Sequence, residues 1–86
     1  MSFECLIFKL GLDPFIYKVK YSTGFFVMPI EGKKSCEILK ISEIELIEEP
    51  SGRRALFIFS NKTGLDKKII IEQIIIHKPK PVRYFK

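Results

Sequence analysis

The segment Ile-Ile-Ile-Glu-Gln-Ile-Ile-Ile at residues 69–76 constrains the fold more than any other part of this chain. Six of its eight residues are β-branched, and such side chains lose χ1 freedom in a helix but pack well on a pleated strand. As a strand, the segment would carry mostly apolar residues on both faces, which is typical of a strand covered on both sides. It therefore predicts a buried strand and indicates that a second layer covers it.

The amino-acid composition favours an all-β fold. The 86 residues include fourteen Ile and eight Phe, a single Ala and no Trp, whereas Ala is the residue with the highest helix propensity. A chain of this length forms one domain. We expect an all-β domain of about five or six short antiparallel strands, arranged as a small barrel or sandwich of the SH3-like or OB-like type, because closure removes edges that aggregate.

Alternating patterns and turn residues divide the chain into short strands. Strict alternation at 15–21 and an apolar run at 25–30 flank Ser-Thr-Gly, which predicts a β-hairpin with Gly24 at positive φ. Pro29 has no N–H group, so the second of these strands ends there or lies at a sheet edge. The predicted strands outside the ambiguous segment 36–49 are 3–10, 15–21, 25–30, 54–60 and 69–76.

Residues 36–49 are ambiguous between strands and a helix. Isoleucines recur at positions 38, 41, 44 and 47, a spacing close to that of a helical face. However, Glu43–Leu46 alternates polar and apolar residues as a strand does. We interpret the segment as two short strands and keep a single short helix over 36–48 as the alternative.

The C-terminal segment differs in character from the rest of the chain. Residues 77–86 read His-Lys-Pro-Lys-Pro-Val-Arg-Tyr-Phe-Lys, and Pro79 and Pro81 favour extended backbone over a central strand. We therefore predict a β domain over 1–77 and a basic, extended tail over 78–86 that leaves it. An idle chain end is one alternative. Another is docking on a partner, or on the domain's own sheet edge, by three apolar residues: Val82, Tyr84 and Phe85.

The residue inventory argues against catalysis and against a bound metal or cofactor. The chain has one histidine, His77, and two cysteines, Cys5 and Cys36, and their spacing fits no known zinc site. The glutamates cluster at 31–49 like a solvated face, and no glycine-rich loop is present to bind phosphate. We expect a protein that is not an enzyme and uses no cofactor, with both thiols buried in a reducing compartment.

The expected location is the cytoplasm. No apolar run approaches the ~20 residues that cross a bilayer, and the N-terminal residues lack the pattern of a signal peptide. We expect no interaction with membranes. The small size and the Ile- and Lys-rich composition are also typical of viral and mobile-element proteins.

Charge is distributed unevenly, which suits a nucleic-acid partner. The net charge is +1 for residues 1–30, −3 for 31–49 and +7 for 50–86. Small β-barrels bind single-stranded RNA or DNA by stacking bases on aromatic side chains in a basic groove. The residues that would serve this function are Tyr17, Lys18, Lys20, Tyr21, Arg53, Arg54, Lys78, Lys80 and Arg83.

Two plainer interpretations compete with nucleic-acid binding. If the two tyrosines lie on the core face of their strand, the neighbouring lysines form only its solvent face. The two adjacent arginines would also pair with Glu48 or Glu49 across the same hairpin, a contact that contributes little to stability.

Protein docking is the leading functional prediction. Burial of both faces of the Ile-rich segment requires a second layer, whereas a net charge of +5 requires no partner. At ~25 cal/mol per Å², ~300 Å² of uncovered apolar surface corresponds to ~7 kcal/mol of unrealised burial. We expect a non-catalytic module that binds a protein or forms a homo-oligomer, with single-stranded nucleic acid as the alternative partner. The expected docking residues are Ile70, Ile74, Ile76, Tyr84 and Phe85.

Overall fold

The computed structural model of the chain describes residues 2–20, 24–30, 32 and 34–85. These residues form two sheets and one helix. The helix is α1 (Lys67–His77), and the strands are β1 (Phe3–Phe8), β2 (Phe15–Val19), β3 (Phe25–Pro29), β4 (Cys36–Lys40), β5 (Ser42–Glu48), β6 (Arg53–Asn61) and β7 (Arg83–Tyr84).

The larger sheet is built around β1 and β6. Its strand order is β2-β1-β6-β5, and β7 pairs with β6 on the edge that β1 leaves uncovered. The β1–β6 pair is parallel, so the prediction of a wholly antiparallel fold is wrong at this pair. Parallel neighbours need a long crossover connection, which the chain between Phe8 and Arg53 provides.

Both faces of the larger sheet are covered. On one face, α1 packs on a group that we call the helix-side cluster: Leu6, Phe8, Ile44, Ala55, Phe57, Phe59, Ile70 and Ile74. On the other face, β3 and β4 pack on the hairpin-side cluster: Cys5, Ile7, Val19, Met28, Leu39, Ile41 and Ile58. The doubly covered strands are therefore β1 and β6, whose successive residues alternate between the two clusters.

The Ile-rich segment forms α1, so the strand predicted at 69–76 is wrong. The helix follows Asp66, whose carbonyl oxygen accepts hydrogen bonds from the N–H groups of Ile69 and Ile70 at 3.0 and 3.1 Å. It ends at Lys78, which adopts a left-handed conformation (φ 51°) and donates its N–H to the carbonyl oxygen of Ile74. Pro79 follows, where a helix stop signal is expected.

Packing overrides the low helix propensity of isoleucine. That propensity costs only a few tenths of a kcal/mol per residue relative to Ala, whereas full burial of an Ile side chain contributes roughly 1.5–3 kcal/mol. Ile70 and Ile74 are one helical turn apart and both are buried against the sheet. The outer side of α1 carries exposed charged residues together with three exposed isoleucines: Ile69, Ile75 and Ile76.

The other strand predictions are largely confirmed, but their pairing is not. The two short strands expected within 36–49 are β4 and β5, so the alternative helix over 36–48 is wrong. The predicted hairpin of 15–21 with 25–30 is also wrong, because β2 pairs with β1 and β3 pairs with β4. Gly24 does have positive φ (79°), but at the start of β3 in the second sheet.

The described residues form a mostly β domain without a closed barrel. The smaller sheet contains only β3 and β4, and it lies across one face of the larger sheet. Pro29 ends β3 at a sheet edge, as predicted from its missing N–H.

An ion-pair cluster fastens this smaller sheet to the larger one. The Glu37 carboxylate of β4 contacts the ammonium groups of Lys9, just after β1, and Lys62, just after β6. The Glu37 side chain is only 14% exposed. Hydrogen bonding from Lys62, and then from Lys9, lowers the pKa of Glu37 below its ordinary value. The β3–β4 pair is thus held by charge as well as by apolar packing.

Candidate docking groove

The C-terminal tail packs on the domain instead of leaving it. β7 pairs antiparallel with β6, and two flanking hydrogen bonds extend the contact. The N–H of Val82 donates to the carbonyl oxygen of Leu56 at 2.7 Å, and the N–H of Phe85 donates to that of Arg54 at 2.9 Å. Both prolines precede the paired residues, so they interrupt no ladder. Of the alternatives for the tail, docking on the domain's own sheet edge matches this arrangement.

Arginine side chains stack on the two aromatic rings of the tail. The Arg53 guanidinium lies 4.0 Å from the centre of the Tyr84 ring. Those of Arg54 and Arg83 lie 5.5 and 5.1 Å from the centre of the Phe85 ring. Exposed cation–π contacts of this kind contribute about 0.5–1 kcal/mol each. Three arginines and two aromatic residues are therefore brought together at one end of the sheet.

Two glutamates of β5 contact the tail and the arginines at this end of the sheet. The Tyr84 hydroxyl donates to the carboxylate oxygens of Glu48 at 3.0 and 3.2 Å, and this hydrogen bond raises the pKa of Tyr84. Arg54 forms a long ion pair with Glu45 at 3.6 Å. The plainer interpretation of the adjacent arginines names Glu48 or Glu49 as their partner, whereas the ion pair across the hairpin is that of Arg54 with Glu45. Glu48 lies opposite Arg53 in the β5–β6 register, but its carboxylate accepts from Tyr84.

A groove of about 450 Å³ lies between β5, α1 and the tail. Its lining includes Leu46, Phe57 and Ile74, which belong to the helix-side cluster or pack on it. Ile47 and Ile75 also line it, and each is 62% exposed. The groove therefore presents aliphatic surface to the solvent directly above the core.

Both signs of charge border the groove. Glu48 and Glu49 lie on the β5 side, and Lys78 and Lys80 lie on the tail side. Glu48 accepts a hydrogen bond from the Tyr84 hydroxyl, and the side chains of Lys78 and Lys80 are exposed. The tail wall is fixed in place where the N–H of Lys80 donates to the Glu4 carboxylate at 2.8 Å.

The predicted docking residues fall into two groups. Ile70 and Ile74 are buried in the helix-side cluster and hold α1 on the sheet, and Ile74 also lines the inner part of the groove. Ile76 is 65% exposed, Tyr84 is partly exposed, and Phe85 is half-buried beneath two guanidinium groups. The exposed isoleucines of the segment, Ile69, Ile75 and Ile76, therefore lie away from the residues that pack on the sheet.

The predicted nucleic-acid residues are dispersed. Tyr17 packs against the hairpin-side cluster and stacks on Phe26 with ring centres 5.9 Å apart, so it is a core residue. Lys18 and Lys20 are exposed on β2 and just after it, and Tyr21 lies outside the described residues. The three predicted arginines meet at β7, and the two predicted tail lysines border the groove.

Most of the groove lining was not among the predicted site residues, including Leu46, Ile47, Phe57 and Ile75. The signal for Ile75 was its position in a helix with isoleucines on all sides, which leaves some of them outside any core. The strand predicted at 69–76 would instead have placed Ile75 on a covered face. The signal for Ile47 was its place in an edge strand, where alternation exposes every second residue.

The structure shows no catalytic or metal-binding cluster in the part of the chain that it describes. Cys5 is buried, and burial raises the pKa of its thiol to about 12, which suppresses its thiolate and its reactivity. Cys36 is exposed, so the prediction of two buried thiols is wrong for this residue. It lies on the outer face of β4.

None of the described helices is long and apolar enough to cross a membrane. No protein-family model matches this chain, and the searches found no curated protein and no solved structure with significant similarity to it.

Proposed function

We propose that this protein is a non-catalytic binding module that docks a partner protein in the groove between β5, α1 and the tail. The observation that supports this most is an apolar groove of about 450 Å³ that is lined by Leu46, Phe57 and the exposed Ile75. That volume lies within the range of roughly 300–1,000 Å³ that is typical of ligand pockets. A bulky apolar side chain of the partner would fill it.

The occupant is a segment of a partner with negative charge. The chain carries a net charge of +5, and Lys78 and Lys80 border the groove. A Leu or Phe next to Asp or Glu would place its side chain on Leu46, Phe57 and Ile75, and its neighbour's carboxylate near these lysines. Burial of the apolar side chain contributes roughly 1.5–3 kcal/mol, and the charges add orientation and association rate more than affinity.

An NMR titration with two synthetic peptides tests this proposal. The first peptide contains one Leu and one Phe flanked by Asp and Glu, and the second has Lys in place of every acid. We expect the acidic peptide to shift the amide signals of Ile47, Ile75, Lys78 and Lys80, and the basic peptide to bind at least tenfold more weakly. Shifts distributed away from the groove, or equal affinity for both peptides, would contradict the proposal.

α1 offers a matched pair of variants for the same titration. Ile75 and Ile76 are adjacent and similarly exposed, at 62% and 65%, but only Ile75 lines the groove. Ile75→Glu should weaken peptide binding at least tenfold, whereas Ile76→Glu should leave it within about twofold. Unchanged binding by the first variant would place the peptide at another surface.

Single-stranded nucleic acid remains a second candidate partner because three arginines meet at β7. Arg53, Arg54 and Arg83 lie around two aromatic rings, and exposed arginines next to aromatic side chains suit phosphate contacts and base stacking. An OB-like or SH3-like architecture, partly closed by β3 and β4, is the fold type that this alternative implies.

Filter binding at two salt concentrations tests the alternative. Affinity for a single strand should fall with salt, with a log–log slope of ~0.7 per phosphate contact. Arg54→Ala and Arg83→Ala should reduce that slope, whereas Tyr17→Ala should lower stability without changing affinity per folded molecule. An absence of binding at low salt would exclude nucleic acid.

A further inference from the structure

The smaller sheet has two edges that pair with no other strand in the described parts of the chain. The N–H of Ile41 donates to the carbonyl oxygen of Gly24 at 2.7 Å, and that of Ile30 donates to Ser35 at 3.0 Å. Hydrogen-bonded and non-bonded pairs alternate along an antiparallel ladder. Between these two bonded pairs, the backbone groups of alternate β4 residues therefore point away from β3: Cys36, Ile38 and Lys40.

The two edges differ in their capacity to accept another strand. On β3, the equivalent outward position near the end of the strand is Pro29, which has no N–H and blunts the edge. β4 contains no proline, and Ile38, at its centre, is 70% exposed. β4 is therefore the edge of this sheet that is open to strand addition.

We propose that two copies of this protein pair through their β4 edges as an antiparallel, two-fold symmetric dimer. The symmetric register places Ile38 opposite Ile38 of the second copy and Cys36 opposite Lys40 of the second copy. Ile38 would then exchange both of its backbone hydrogen bonds across the axis. The result is a continuous four-stranded sheet in the order β3-β4-β4-β3.

The proposed occupant is a second copy because this register is self-complementary. Glu37 lies opposite Leu39 of the second copy, so no like charges oppose each other directly. The same symmetric pairing of β5 would place Glu45 against Glu45. Pairing of β4 with β3 of another copy would build an open fibre, but Pro29 blocks it. The closed dimer is the arrangement that remains for this sheet.

The outer face of the joined sheet explains the exposed apolar residues of the hairpin. Val27 lies beside Ile38 in the register, and both side chains are largely exposed. Pairing brings the two Ile38 side chains together and adds apolar neighbours across the axis. Five residues per strand form a small interface, so we expect a reversible dimer rather than an obligate one.

The dimer does not depend on the groove, and salt should have opposite effects on dimerisation and on peptide binding in the groove. Each copy carries +5, so added salt should screen repulsion and strengthen dimerisation, whereas it should weaken docking of an acidic segment. Ile75→Glu should leave the dimer unchanged. A failed peptide titration would thus not affect this proposal, and a monomeric protein would not affect the groove.

Light scattering over a concentration series tests the dimer with a matched pair of proline variants. Ile38→Pro removes an outward N–H of β4, and Val27→Pro removes one on the β3 edge that is already blunted. Neither N–H belongs to the β3–β4 ladder, so both variants should fold, which circular dichroism checks. We expect the wild type and Val27→Pro to dimerise and Ile38→Pro to require at least tenfold higher concentration. A wild type that stays monomeric at high concentration, or a folded Ile38→Pro that dimerises normally, would overturn the proposal.

Disulfide trapping tests the register without depending on a proline. Hydrogen-bonded antiparallel partners have Cα atoms ≈ 5.5 Å apart, within the range that a disulfide spans. In a Cys36→Ser background, Ile38→Cys should cross-link two copies on mild oxidation. Lys40→Cys in the same background should not, because four residues of offset separate the two thiols by roughly 13 Å. Efficient cross-linking of the second variant but not the first would contradict the register.

Discussion

α1 and the β3–β4 pair cover opposite faces of the same sheet, and they are attached by different means. α1 is held by apolar contacts, with Ile70 and Ile74 buried in the helix-side cluster. The β3–β4 pair contributes Met28 and Leu39 to the other cluster and is also fastened by the Glu37 ion pairs. One cover depends on burial alone, whereas the other also depends on charge.

α1 and the β3–β4 pair also differ in how well their secondary structure can be predicted from the sequence. β3 is a short apolar run that turn residues flank, and such a run is recognisable as a strand from its length and its boundaries. α1 carries isoleucines on every side, so no period separates its buried side from its exposed side. The isoleucines that obscure the helical pattern in the sequence include Ile75, which lines the groove.

The largest expected effect is at the buried side of α1. Ile74→Ala should lower the free energy of unfolding by about 2–5 kcal/mol, because a buried side chain is lost and a cavity remains. Its neighbour Ile75 is 62% exposed, so Ile75→Ala should cost no more than about 0.5 kcal/mol. Urea unfolding measures both. Equal effects would mean that α1 does not pack on the sheet through the side described.

Removal of the tail should also destabilise the domain, because the tail contributes to the hairpin-side cluster. Truncation after His77 removes β7 and Val82, which packs on the hairpin-side cluster. The lost hydrogen bonds and cation–π contacts amount to about 2 kcal/mol, or a fall in melting temperature of roughly 10 °C for a domain of this size. Lys80→Ala, at an exposed side chain, is the control and should change little. An unchanged melting temperature after truncation would mean that the tail is an idle chain end that does not stabilise the domain.

Acid should weaken the β3–β4 attachment more than the α1 attachment. The folded protein holds the pKa of Glu37 below its ordinary value of 4.5. The resulting stabilisation is therefore present above pH 4.5 and is lost as the pH falls through the lower, folded-state pKa. Glu37→Gln should lower stability at pH 7 and flatten its decline below pH 4.5. Glu43→Gln, at an exposed position of β5, is the control, and an acid profile equal to that of Glu37→Gln would contradict the ion-pair account.

The smallest expected effect is on thiol chemistry and does not alter stability. Cys36 is exposed, whereas Cys5 is buried with its pKa raised to about 12. A maleimide at neutral pH should label Cys36 promptly and Cys5 only after unfolding. Peptide mass mapping identifies the labelled residue. Rapid labelling of Cys5 in the folded protein would show that β1 is not covered on its hairpin side.

The mostly β composition and most strand positions were predictable because alternation and turn residues are local signals. The two strands between Cys36 and Glu48 were identified from such alternation. The pairing was not predictable, since the parallel contact of β1 with β6 and the separation of β2 from β3 depend on residues far apart in the sequence. α1 was missed because its burial outweighs a helix propensity that disfavours isoleucine by only tenths of a kcal/mol.

The site was predictable only in part, for a related reason. The choice of Tyr84, Phe85 and the three arginines as candidate site residues followed from local patterns. The groove did not, because Ile47 and Ile75 come from elements that meet only once α1 packs on β5. The tail was misjudged for the same reason: its two prolines exclude a central strand, but they do not exclude a short edge pairing that begins after them.

Residues 67–77 form a helix whose inner isoleucines, Ile70 and Ile74, pack on the sheet and whose exposed Ile75 lines the groove. Methyl NMR of the intact protein tests this helix and its packing on the sheet. We expect helical chemical shifts over 67–77 and nuclear Overhauser effects from the methyl groups of Ile70 and Ile74 to the rings of Phe57 and Phe59, which share the helix-side cluster. Extended shifts over 69–76 with cross-strand contacts would contradict it.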